Sequence, residues 1–111
     1  MPAGTGAWLL DVWASGPDDA WVVGADGLLL HWDGQRFAPV SSGVDVWLSA
    51  VWGFAADDVL TVGNGGVVVK WDGEKWARAY SPVRVTLTNV FGTGPRDFWL
   101  AGTRGTLQHQ P

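Results

Sequence analysis

Apolar and polar residues alternate along this chain with the period of a strand. Leu9, Asp11 and Trp13 fall on one face and Leu10, Val12 and Ala14 on the other, and β-branched or aromatic residues dominate. Spacing of three or four, which an amphipathic helix needs, is nowhere sustained. Each run stops at turn chemistry: "GPDD", then "DG", then "GQ". These breaks predict four antiparallel strands, at about residues 8–14, 20–25, 28–33 and 36–40. Asp33-Gly34 and Asp72-Gly73 read as two-residue hairpin turns, with Asp-Gly supplying the positive φ that such a connection requires.

The unit then repeats at a step of 39 residues, without insertion or deletion. "WLLDVWASGPDDAWVVGADGLLLHWDG" from Trp8 aligns with "WLSAVWGFAADDVLTVGNGGVVVKWDG" from Trp47 and with "TLTNVFGTGPRDFWLAGTRGTLQHQP" from Thr86. Identical residues stand at Leu9/Leu48/Leu87, Val12/Val51/Val90, Asp19/Asp58/Asp97, Gly24/Gly63/Gly102 and Gly27/Gly66/Gly105. A period near 40 belongs to solenoids and propellers, and four antiparallel strands per period is one propeller blade. The expected fold is therefore all-β, with about three four-stranded blades at residues 8–46, 47–85 and 86–111.

On these residues the chain resembles tandem-repeat bacterial β-propellers whose blades read roughly "VWGxGPDDxWxVGxxGxxxxWDGxxW". It is similar in strand order to Trp-Asp repeat propellers and, more distantly, to small fucose-binding propeller lectins that assemble into one ring. The lectin resemblance implies a sugar held between blades by Arg, Glu and aromatic residues, but no Arg or Glu recurs at the repeated positions here.

Three full copies would fill 117 positions, and the phase of Met1 and Pro111 assigns the missing six to the last hairpin turn and most of the outer strand. Propellers close with about four to eight blades. A three-blade arc would leave apolar faces open, with Leu9, Trp13, Phe91 and Leu100 as contributors, so the expected partner is a second copy. Two chains give a six-bladed homodimer and three chains a nine-bladed trimer. Junctions of about 1,600 Å² would make assembly and fold inseparable. An excised fragment of a longer ring is the alternative.

Charge narrows the partners. A net charge of -4 and the absence of a basic stripe argue against nucleic acid and anionic membranes. With no Cys there is no disulfide, thiolate metal site or cysteine nucleophile. The start "MPAGTGAWLLDVW" has no basic region followed by a long apolar one, and no apolar run approaches a membrane span. Compartment is left open.

The candidate chemistry is sparse. Asp18, Asp19, Asp57, Asp58 and Asp97 sit at the first turn of each unit, where an Asp commonly accepts its own backbone N–H groups. His31 and His109 share a phase with Lys70 between them, and read as solvated strand positions. The Gly24–Gly27 segment and its copies join strands with no helix following, which excludes a phosphate loop. Neither a metal site nor a cofactor is expected, and no nucleophile–base pair can be assembled, so an enzyme is not expected.

What remains is aromatic surface. Trp8 and Trp47 open the first strands, Phe37 and Trp76 lie on the outer strands, and Asp45 and Arg84 flank the connecting loops. Rings beside a charged group can stack a sugar and bond its hydroxyls. These six residues are the expected ligand-binding set of a multivalent binding module, with carbohydrate as the expected ligand. A structural or protein-interaction scaffold is the other reading.

Overall fold

The computed structural model describes residues 8–81 and 83–110. The sequence-based placement of Met1 and Pro111 lies outside them. Three antiparallel sheets follow one another along the chain. The first holds β1 (Leu9–Gly16), β2 (Asp19–Gly24), β3 (Leu29–Trp32) and β4 (Phe37–Pro39). The second repeats it with β5 (Leu48–Ala55), β6 (Asp58–Gly63), β7 (Val68–Trp71) and β8 (Trp76–Arg78), and the third has β9 (Leu87–Gly94), β10 (Asp97–Gly102) and β11 (Leu107–Gln110). Every strand pairs with its neighbour in sequence. Among the described residues the only helical pieces are the 3-10 turns Ala25–Gly27 and Asn64–Gly66.

Strict alternation does not survive in the inner strands. Register shifts between Leu9 and Asp11, and between Leu48 and Ala50, insert one residue and flip the faces that follow. Leu48 and Val51 therefore both pack toward the first sheet, while Ala50 and Trp52 pack toward the third. Two cores result, one between each pair of sheets. Leu29, Leu48, Val59 and Val69 anchor the first, and Val62, Leu87, Val90 and Leu100 the second, all 2% exposed or less. Each such side chain stabilises by about 1.5–3 kcal/mol relative to exposure.

Recurring glycines separate into two kinds. Gly27, Gly66 and Gly105 have φ of 76°, 79° and 69°, which a side chain would strain. Gly24, Gly63 and Gly102 are extended or unstrained instead. Their requirement is room, because a Cβ there would lie 2.0, 1.9 and 2.3 Å from the carbonyl oxygens of Trp8, Trp47 and Thr86.

Two expectations change. The Asp33-Gly34 connection spans Asp33 to Arg36, since Trp32 pairs with Phe37. Asp33 Oδ1 accepts the N–H groups of Gln35 and Arg36, at 2.8 and 3.0 Å, and only Gly34 takes a positive φ. Asp72 does the same for Glu74 and Lys75. Trp13 and Leu100 are not on an open face. The Trp13 ring lies against Gly53, and Leu100 is 1% exposed.

Candidate functional site

The first turn of each sheet and its third strand meet through side chains. β1 ends beside Ser15, β2 opens with Asp19, and β3, paired with β2, carries His31. Ser15 Oγ donates to Asp19 Oδ2, and His31 Nε2 lies 2.6 Å from Asp19 Oδ1. An ionised carboxylate only accepts, so this ring nitrogen carries the proton and donates it. His31 stacks on Trp21, with ring centroids 4.4 Å apart.

This overturns two expectations from the sequence. Asp19 serves its neighbours' side chains rather than its own backbone, and His31 is a half-buried partner of Asp19 rather than a solvated strand residue. The third sheet repeats the arrangement: Thr93 Oγ1 donates to Asp97, His109 Nε2 lies 2.7 Å from Asp97 Oδ1, and His109 stacks on Trp99 at 4.5 Å. The Thr93 and His109 hydrogen bonds hold the Asp97 carboxyl below its ordinary value of 3.8. In the second sheet Phe54, Leu60 and Lys70 occupy the equivalent positions. Lys70 Nζ stands 3.7 Å from Asp58 Oδ1, which finds no hydrogen-bond partner.

The Ser15–Asp19–His31 order matters chemically. A nucleophilic serine gives its proton to histidine, with the carboxylate behind the ring. Here the carboxylate stands in the middle and accepts from both, so it holds the two side chains in place.

This cluster forms one wall of a cleft of about 1090 Å³ between the first and second sheets. Trp71 and Trp76, from β7 and β8, form the other. Trp21 reaches across to both, with centroid separations of 5.0 Å to each, and Trp71 lies 5.7 Å from Trp76. Three indoles thus line one recess. The Nε1–H groups of Trp21 and Trp76 are buried without a partner. Asp57, Glu74 and Lys75 stand at the same cleft.

The equivalent cleft between the second and third sheets holds only about 280 Å³. Phe54 replaces Ser15 there and packs on Phe98 at 5.8 Å.

The six residues expected from sequence do not gather at one place. Trp8 and Trp47 meet edge to face at 5.7 Å where the inner strands begin, 69% and 38% exposed. Phe37 packs on Trp32 at 4.9 Å on the rim of the first sheet. Asp45 lines a shallow groove with Gly27, and Arg84 is exposed in the loop before β9. Of the six, Trp76 alone lines the large cleft. Trp21 and Trp71 line the cleft without having been singled out as site candidates, and Asp19 and His31, which the sequence reading set aside as turn and strand positions, line it too. A signal existed: Ser or Thr, Trp and His recur together in the first and third copies and vanish together from the second.

Among the described residues, no group of three His, Cys, Asp or Glu side chains gathers as a metal site. The fold and this inter-sheet cleft define a partial β-propeller, each sheet being one blade. The chain superposes on the structure of YCF48 bound to D1 peptide with a TM-score of 0.81 at 20% identity, covering 99% of this chain and 40% of that one. It superposes on YCF48 from Cyanidioschyzon merolae with a TM-score of 0.78 at 26% identity, covering 98% of this chain and 35% of that one. The chain therefore spans well under half the length of these neighbours. No family model matches it, and no curated protein does.

Proposed function

We propose that this chain is a non-catalytic protein-interaction module of a β-propeller, taking an extended peptide that carries a Lys or Arg in the cleft between its first two blades. One observation carries the reading: the Trp21, Trp71 and Trp76 indoles line one recess beside the Asp57 and Glu74 carboxylates. A basic side chain is attracted to indole faces and to those carboxylates. The net charge of -4 favours the same partner. A YCF48 structure holds a D1 peptide, which makes a peptide the first ligand to test here.

Sugar binding is the second reading, supported by the exposed Trp8–Trp47 pair. Of the expected set, Trp8 and Trp47 would form that site, while Phe37, Trp76, Asp45 and Arg84 lie apart from it and would serve other sites. Titration of tryptophan fluorescence with capped basic peptides, capped neutral peptides and a monosaccharide panel separates the readings. A saturable response to peptide that Trp76→Ala abolishes supports the first. A response to sugar alone overturns it in favour of the second, and silence to both leaves a scaffold without a ligand. We also propose that the ring closes by self-association, as a six-bladed homodimer or a nine-bladed trimer. Light scattering after size exclusion, across a range of concentration, tests this, and a monomer at every concentration overturns it.

A further inference from the structure

The two internal junctions show what a blade of this protein needs on each side. At the first, the Trp13 ring lies against Gly53 and seals Leu48 and Val51 to 0% and 3% exposure. At the second, Trp52 Nε1–H donates to the Gly92 carbonyl oxygen at 3.2 Å, and Leu87 and Val90 are sealed to 0% and 2%. The repeat-equivalent residues on the two outer faces are open. Leu9 and Val12 on the first blade are 47% and 61% exposed, and Phe91 and Leu107 on the third are 45% and 58% exposed. Further out on the first blade Val22 and Leu30 are already buried, so the open part is its inner strand. One chain thus presents one face of each kind. At a third junction the repeat would bring Phe91 to Ala14, where Trp13 meets Gly53 at the first, a smaller ring against a larger residue.

The same register carries half a cleft to each outer face. On the third blade Thr93, Asp97, Trp99 and His109 repeat the wall built by Ser15, Asp19, Trp21 and His31. That copy is more open, with Asp97 and His109 side chains 55% and 40% exposed against 27% and 30% for Asp19 and His31. On the first blade Trp32 and Phe37 pack at 4.9 Å as Trp71 and Trp76 do, and Asp18 lies under Gly34 as Asp57 lies under Gly73.

We propose that these half-walls are the two sides of one further binding cleft, completed when the third blade of one copy docks on the first blade of a second copy. This composite cleft takes the same class of ligand as the intact one, an extended peptide. The inference rests on the self-association proposed above. Around the closed ring, an open cleft, a filled junction and a composite cleft would follow in turn.

The full chain has no Cys, so introduced thiols are the only ones. Asn89→Cys with Val12→Cys places thiols at the repeat equivalents of Asp11 and Val51, which touch across the first junction through a 3.0 Å hydrogen bond. A short bismaleimide should then link one chain to the next. In parallel, hydroxyl-radical footprinting compares the wild type with Val12→Glu, and with Phe91→Lys should Val12→Glu fail to fold. The expected wild type is an assembly of two or three chains in which Trp99 and Leu107 are oxidised several-fold more slowly than in the monomeric variant. It should bind two capped Arg-containing hexapeptides per chain where the variant binds one. An assembly with Trp99 and Leu107 as reactive as in the variant, no cross-link, or one peptide per chain overturns the composite cleft and leaves self-association standing. A monomeric wild type overturns both, and peptide silence in both forms counts against the peptide reading and the composite cleft alike.

Discussion

Replacing Gly63 by Ala would place a methyl carbon 1.9 Å from the Trp47 carbonyl oxygen and 2.9 Å from its carbon. The backbone there has φ of -168°, which alanine adopts freely, so the whole cost is collision. Relief requires a shift of more than about 1 Å, because carbon–oxygen contacts sit near 3.3–3.6 Å even when close. That shift breaks the 3.0 Å hydrogen bond from Asn64 N to the same oxygen and disturbs Leu48, which is fully buried next door. Overpacking costs about 1–3 kcal/mol and the lost hydrogen bond about 0.5–1.5 kcal/mol, so the loss is roughly 2–4 kcal/mol. Urea unfolding followed by tryptophan fluorescence, at fixed chain concentration, is the assay. With a slope of about 1.5 kcal/mol/M the midpoint falls by about 1.3–2.7 M. Gly94→Ala is the control: no atom lies within 4 Å of its Cβ position, and Ala55 holds the equivalent place in the second blade. Its midpoint should move by less than about 0.3 M. Equal midpoints for Gly63→Ala and the wild type, or an equal fall for both variants, would refute the close-approach argument.

Trp21→Ala removes the indole that bridges both walls of the large cleft, and should cost about 3–5 kcal/mol in the same unfolding assay. Phe54→Ser should open the smaller cleft at a cost of about 2 kcal/mol, since that ring is only half-buried against Phe98; an unchanged midpoint contradicts this. Asp72 has its carboxyl held below 3.8 by the N–H groups of Lys75 and Glu74. Its contribution is full above that ordinary value and is lost as pH falls through the lower folded value. The wild type should therefore lose stability below about pH 4. Asp72→Asn keeps an accepting oxygen but does not titrate, and should show the shallower decline in midpoints taken from neutral to acid pH.

The propeller was legible because its determinants recur at a fixed step. Leu48/Leu87 and Val51/Val90 mark the two sealed junctions, and the glycines at Gly27, Gly66 and Gly105 announce the turns. Face assignments failed because a bulge near Leu10 and Ser49 reverses the alternation, and propensity carries no sign of one extra residue in a strand. The cleft was hidden for another reason. Its Asp19–His31 bond joins β2 to β3 through a lateral offset that only the paired register reveals. Lys70, standing between His31 and His109 in the repeat, also made those histidines look unrelated. Trp8, Trp47 and Phe37 drew attention as aromatic surface, yet the cleft between the first two sheets is walled by Trp21 and Trp71, residues that read as ordinary strand apolars.

Among the described residues every strand pairs with one beside it in sequence, and no hydrogen-bonded ladder joins one sheet to another. Each sheet can therefore zip through short hairpin closures, which are quick and entropically cheap, before any two sheets dock. Within one chain docking couples units in a line, so in the monomeric Val12→Glu variant protection should be graded along the chain rather than uniform. The second sheet is covered on both sides, with Val59 and Val62 at 0% exposure. In hydrogen–deuterium exchange of that variant its β6 amides should be the last to open, while β1 and β11 exchange first.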